Sequence, residues 1–429
     1  MSTMNWENYS EDIFGTGIQF YGAGKRLKCT ITTKITSVDP VDPECLKRAV
    51  DTTMKRYPYL LLRPEKNAFR IRLVHNPESV VVKAGKVSPV LGSDESNYHL
   101  VAYTYEGNVI YLHVFHGIID GYGVSFLVKT LMFYYIREKY GITIDKTGFS
   151  TLDDEVEPEE YGDMFPRKKQ KNLAKPLAKA PRFVNAFRTS KNTAAKGFDP
   201  HIYLVTVDRN SMNAVMDKYN ASPSPFVGII LMRSIQNMFP DSKKNICISL
   251  PVNLRKAFNA MKCRTHLDSV VRVVFDERLK NMPIGKQCTC LRGRVILQSD
   301  PDSIFNEVEI ERKAYSFISH APFLFLKKLI SRLIFAINSS DETAMVSYTG
   351  QARFGEASGY FSRIEAITDP CADDILVEIC QFNDEYSITF MQRFKDDAYA
   401  KAFVKEMRDN GVDASLISEE KLVLADVRF

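Results

Sequence analysis

The chain has no apolar run of about eighteen residues, the length a membrane-spanning helix needs. The nearest approach, Phe323 to Ile337, is interrupted by Lys327, Lys328 and Arg332, and it reads first as a helix packed on the protein's own core, second as one touching a membrane surface. Its first thirty residues lack a basic start followed by a continuous apolar core, so no secretory signal is expected. The eight cysteines are scattered, and without such a signal they are expected to be reduced thiols in a cytoplasm. With only 21 glycines and 19 prolines in 429 residues, fibrous and low-complexity classes are excluded. The net charge of +5 is mild and no concentrated basic stripe is present, which argues against a nucleic-acid binder and leaves room for an anionic substrate.

Several catalytic signatures are missing as well. There is no GxSxG elbow of a serine hydrolase, no GxxxxGKS/T phosphate loop and no GxGxxG after a strand. Cys288 and Cys290 form a CxC pair without a nearby histidine, which reads as ordinary thiols. His113, His116 and Asp120 are close in sequence, but residues 113 and 116 have opposite parity in a strand and face opposite ways. No metal site is expected.

What is present is a globular composition, 45% hydrophobic and 25% charged, in a chain long enough for two lobes. Strands are expected at 27–35, 59–62, 69–74, 99–105 and 109–115, the last two turning over Glu106-Gly107-Asn108. Asp42-Pro43 opens a helix as N-cap and first-turn proline, and Pro58 stops it. A long apolar helix is expected over 121–140. From Asp153 to Pro200 the chain is first acidic, then basic (Arg167, Lys168, Lys169, Lys171), and reads as a long connection. Beyond it come strands at 201–207, 246–250 and 269–275 and helices from 210 and 224. A long helical region covers 303–338, a hairpin 375–394, and a final amphipathic helix runs from 396 to 410. The expected division is 1–160, a crossover at 161–200, and 201–429.

The stretch that carries chemistry is YLHVFHGIIDGYG, Tyr111 to Gly123. A strand ends at His116, and Asp120 and Gly121 follow at the mouth of a helix. Histidine exchanges a proton near neutral pH, and a strand end beside a glycine-rich turn is where a base meets a substrate. Gly117 and Gly121 clear space or allow a tight turn. Asp120 also reads as an N-cap. Two further segments stand out. PVNLR, Pro251 to Arg255, follows a strand, and its arginine is either a carboxylate clamp or a surface residue. SYTG, Ser347 to Gly350, presents a hydroxyl beside a turn glycine, either an oxyanion donor or an ordinary turn serine.

The strand–HGIIDG–helix segment resembles the HHxxxDG signature of the CoA-dependent acyltransferase superfamily, with Phe115 in place of the first histidine. PVNLR and SYTG resemble, in order, the arginine-bearing and Ser-Asn-x-Gly-like segments of its second lobe. The DFGWG string of the plant BAHD branch is absent. The resemblance implies a mixed α/β fold of two chloramphenicol acetyltransferase-like lobes, each a mixed sheet flanked by helices, with a channel between them. It implies an acyltransferase, alcohol acetyltransferase-like, that moves an acyl group from acyl-CoA (acetyl-CoA as cosubstrate, no permanently bound cofactor) to an alcohol or amine. His116 is then the general base, Asp120 and Gly121 belong to the motif, and Arg255 (or, failing it, Arg26) pairs with Asp120. Gly117, Ser347, Gly350 and backbone amides around Gly121 are implied as oxyanion or channel positions. Two alternatives keep this fold. One is a condensation-type enzyme taking its donor from an acyl carrier protein in trans, with the basic run at 167–171 as a contact; the other is a non-catalytic ligand-binding member.

Overall fold

A computed structural model describes residues 4–24, 27–169, 173–195, 197–370 and 374–429. Three sheets organise the chain. A small one joins β1 (Ser10–Asp12), β4 (Ile71–His75) and β3 (Leu62–Lys66). A five-stranded sheet runs in the order β12 (Phe361–Thr368), β2 (Thr30–Ser37), β7 (Val109–Phe115), β6 (Val101–Glu106) and β5 (Val82–Ala84). A seven-stranded sheet runs β10 (Asp268–Phe275), β9 (Ile246–Asn253), β11 (Ala344–Gln351), β13 (Ile375–Phe382), β14 (Glu385–Gln392), β8 (His201–Asp208) and β15 (Ala414–Lys421). β11 lies parallel to both its neighbours while the other ladders of this sheet are antiparallel, so the sheet is mixed.

The helices are α1 (Gly17–Gly22), α2 (Pro43–Arg56), α3 (Gly121–Tyr140), α4 (Arg209–Lys218), α5 (Pro223–Met238), α6 (Glu277–Lys280), α7 (Ile284–Ser299), α8 (Pro301–His320), α9 (Leu324–Ser340) and α10 (Ala398–Asp409). α2 starts where Asp42 Oδ1 accepts the Cys45 amide, 2.9 Å away, ahead of Pro43. α3 ends at Gly141, whose φ of 65° is the left-handed cap that glycine adopts without strain. α5 is apolar all round from Pro225 to Met232, with Phe226, Val227 and Ile229 to Met232 fully buried between β9, β11 and α10. α2 and α3 cover the five-stranded sheet through Leu46, Val50, Leu127 and Leu131.

Differences from the sequence reading have local causes. Residues 58–60 form a short 3-10 turn rather than a strand, because Pro58 presets a helical φ at its first position. The expected helix over 303–338 breaks at Ala321 and Pro322, where proline leaves no amide for the ladder. SYTG is not a turn: Ser347 to Gly350 lie inside β11, where the register with β13 slips between Tyr348 and Gln351 and Gly350 takes a φ of 91°. Neither α7 nor the strands β12 and β15 announced themselves by a clean period.

Residues 153–200 hold only two short 3-10 turns among the described positions. The division by chain order is crossed: β12, from the C-terminal half, pairs antiparallel with β2 of the N-terminal sheet from Ile364↔Ile35 to Thr368↔Ile31, and Leu91 bridges to Val427. That exchange ties the lobes together and brings β12 alongside β13, so the space between the two large sheets has walls from both halves.

Candidate active site

His116 follows the last residue of β7, and its amide donates to the Cys29 carbonyl ahead of β2, 2.8 Å away. Gly117 is obligatory, since an added Cβ would stand 2.3 Å from the Phe115 ring and 2.8 Å from Phe20. Gly121 is under no such pressure, because its added Cβ would meet nothing within 4 Å. His113 points the other way and is buried between the Thr32 and Thr104 hydroxyls, at 3.0 and 2.9 Å. Burial pushes its pKa down to about 3, so it stays neutral.

Asp120 anchors the loop. Its Oδ1 caps α3 at the Gly123 amide (3.0 Å) and its Oδ2 accepts the Leu267 amide (2.9 Å). Arg255 meets both oxygens, Nη1 to Oδ2 at 2.8 Å and Nη2 to Oδ1 at 3.0 Å. The arginine is wholly buried and also donates to the carbonyls of Cys263 and Thr265, while its guanidinium lies 4.4 Å from the Tyr122 ring centre. Burial alone would raise the Asp120 pKa. The adjacent guanidinium outweighs it and holds the carboxyl below its ordinary value. Gly123 lets the 260–268 loop close on α3, since a Cβ there would fall 2.0 Å from the Arg264 carbonyl oxygen. Arg26, the other partner considered for Asp120, lies outside the described residues, as does Lys171.

The same loop delivers His266, whose ring centre is 5.0 Å from that of His116. His266 Nε2 lies 3.2 Å from Gln19 Nε2 and 3.5 Å from Asp268 Oδ1. Its pKa is lowered by burial first, with His116 and Arg255 adding repulsion that Asp268 and Asp120 oppose. His116, His266 and Asp268 each bring a ligand atom within 4.8 Å of the others, a set able to take a divalent cation in place of the His113, His116 and Asp120 trio weighed from sequence.

A cavity of about 320 Å³ opens between the two large sheets. His116, Asp120, Gly121 and Arg255 line it, as do Ser347 and Gly350 of β11, Thr33 of β2, Thr368 of β12 and Glu378 of β13. Gly117, expected in the channel, lines instead a small pocket of about 30 Å³ with Thr16, Asp163 and His266. His116 Nδ1 is buried without a hydrogen-bond partner among the described residues, which leaves Nε2 as the ring nitrogen toward the cavity. Ser347 stands opposite Glu378 in the β11–β13 register. Glu378 Oε1 accepts the Thr368 hydroxyl at 2.9 Å, and the Ser347 hydroxyl reaches the same carboxyl from the facing strand. Burial raises the Glu378 pKa, against the pull of its hydroxyl neighbours and His116.

Sequence reasoning missed His266, Asp268 and Glu378. Glu378 had a readable signal, an acid within the otherwise buried strand ILVEICQF. His266 and Asp268 belong to no motif and gain meaning only when the loop folds against α3.

The architecture is a two-lobe, mixed α/β fold shared with TRI101 and with condensation domains. Solved structures place it so. F. sporotrichioides TRI101 complexed with coenzyme A and T-2 superposes with a TM-score of 0.59 at 11% identity, covering 96% of this chain and 100% of that one. Polyketide synthase associated protein 5 from Mycobacterium tuberculosis gives 0.59 at 12% identity, covering 92% and 98%. The first condensation domain of the CDA synthetase gives 0.57 at 11%, covering 96% and 100%. No family model and no curated protein matches the sequence.

Proposed function

We propose that this chain is an acyltransferase that moves an acyl group from an acyl-CoA thioester directly to an alcohol or amine, with His116 as general base. The observation that carries this reading is His116 at the end of β7, presenting Nε2 to a cavity that runs between the lobes. TRI101 structures of the same fold hold coenzyme A, which supports a thioester donor.

In this reaction His116 Nε2 takes the proton from the acceptor hydroxyl or ammonium-derived amine as the heteroatom attacks the thioester carbonyl. The tetrahedral oxyanion collapses, the C–S bond breaks, and the proton passes from the imidazolium to the leaving thiolate. Holding donor and acceptor in one inter-lobe space makes the attack effectively intramolecular. Ser347, which lines the cavity and reaches Glu378, is the candidate oxyanion donor in this reading. Asp120 and Arg255 keep the His116 turn in position. A carrier-borne donor finds less support: in the basic run, Arg167 is already engaged with the Asp12 carbonyl at 2.7 Å and with Asp163 at 3.6 Å. Transfer from a panel of acyl-CoAs to small alcohols and amines, run beside His116→Ala, tests the reading. Equal turnover by the two proteins sinks it.

A further inference from the structure

α9 is docked on one face and bare on the other. Lys327, Ser331, Ile334 and Phe335 turn inward, and Phe335 lies so close to α1 that a Cβ at Gly22 would fall 2.7 Å from its ring. The opposite face carries Phe325, Leu329, Leu333 and Ile337, exposed to 65%, 53%, 55% and 58%. This i, i+4 ridge runs about 18 Å at the helical rise of 1.5 Å per residue. At its N-terminal end Phe323 stacks on Phe325 and on Phe69 of the β3–β4 hairpin, with ring centres 5.8 and 6.0 Å apart. Water thus meets one continuous apolar ridge on this side of the molecule, the kind of surface that marks an interaction site.

The charge around the ridge has one sign. From Ala321 to Ser340 the chain has three cations and no acid. Lys327 spends its charge on the Ile318 carbonyl at the end of α8, 3.1 Å away. Lys328 and Arg332 lie close enough to each other and to Lys66 that their repulsion helps lower the Lys328 pKa, after burial. Lys328 Nζ donates to the Phe429 oxygen, 3.4 Å away, while among the described residues neither Lys66 nor Arg332 pairs with a carboxylate side chain. A second copy of the chain would set these like charges against one another across a two-fold interface. No helix among the described residues is long and apolar enough to cross a bilayer, so α9 would lie in the interface plane.

We propose that the α9 ridge, with the Phe69 tip beside it, seats the protein on the surface of an anionic lipid bilayer. The apolar side chains enter the headgroup boundary, and Lys66 and Arg332 face the phosphates.

Co-sedimentation with phosphatidylcholine vesicles, with and without phosphatidylserine, tests this on the full chain. Binding is expected with phosphatidylserine and weakened by salt. It should fall about tenfold in Phe325→Ser/Leu329→Ser/Leu333→Ser and, separately, in Lys66→Glu/Arg332→Glu. The substituted side chains are mostly in water, so unfolding curves should match wild type; if the serine variant fails to fold, the charge variant decides alone. The proposal is overturned by failure to bind vesicles or by binding that neither variant weakens. A dimer in solution that the serine variant returns to monomer overturns it too.

Discussion

Arg255 and Asp120 meet through two parallel hydrogen bonds of 2.8 and 3.0 Å, with neither side chain in contact with solvent. The aspartate comes from the turn after β7 and the arginine from the end of β9, so this pair joins the two halves of the chain beneath His116. Every Asp120 oxygen has a partner, and the guanidinium reaches three backbone carbonyls as well. Removing one partner therefore strands a buried charge. Arg255→Ala or Asp120→Ala should cost about 3–5 kcal/mol in denaturant unfolding, and the double apolar replacement Arg255→Met/Asp120→Leu less than their sum. Because the Asp120 pKa is depressed in the fold, its stabilisation is present above the ordinary aspartate value and is lost as pH falls through the folded one. Asp120→Asn should flatten that acid limb.

His116→Ala should lower kcat by about 10²–10⁴-fold, the usual worth of a positioned base. The side chain lines the cavity and makes no hydrogen bond that holds the fold, so melting temperature and CoA affinity should stay near wild type. Calorimetric CoA titration beside single-turnover kinetics separates the two effects.

Restoring a histidine before His116 should not help. Phe115 is fully buried, edge-on to Phe20 at 4.7 Å and to Phe429 at 5.2 Å. Phe115→His would place ring nitrogens in that aromatic cluster without partners, at a cost of about 2–3 kcal/mol. The expected result is a lower melting temperature and no gain in kcat.

Glu378 offers the cavity a carboxyl that burial pushes toward its protonated, hydrogen-bond-donating form, against the pull of the Ser347 and Thr368 hydroxyls. Glu378→Leu should raise the acceptor KM by about tenfold, the loss of one hydrogen bond in a dry site, while leaving the CoA KM unchanged. Glu378→Gln, which keeps a donor and an acceptor, should recover most of it. Steady-state kinetics varying each substrate in turn is the check.

Glu311 on α8 sits under Ser269, whose hydroxyl donates to it at 2.6 Å. Burial, with Glu307 and Asp268 nearby, pushes its pKa from 4.5 up to about 7 despite that bond. The folded state thus holds this proton more tightly than the unfolded one, and stability falls as pH rises from about 4.5 through about 7. Glu311→Gln should remove this slope and stabilise the protein by about 1–2 kcal/mol at pH 8, read from unfolding midpoints across pH.

Local signals determined much of this molecule. The Asp42-Pro43 start of α2, the 109–115 strand, the Gly141 end of α3 and the β13–β14 hairpin follow from caps, alternation and turn residues, which act over a few positions. The strand end before His116 and the Asp120 N-cap follow local patterns too, whereas the pairing of Arg255 with Asp120 was implied only by the family resemblance. What tertiary structure alone decided is non-local. β12 crosses to pair with β2, and the 260–268 loop closes on Gly123 and sets His266 beside His116. Glu378 comes to share a wall of the cavity with His116. The ridge on α9 depended on it as well, since periodicity marks an amphipathic face without saying whether core or water will meet it. Each of these depends on which surfaces meet after residues more than a hundred apart have paired, and no short window of sequence contains that information.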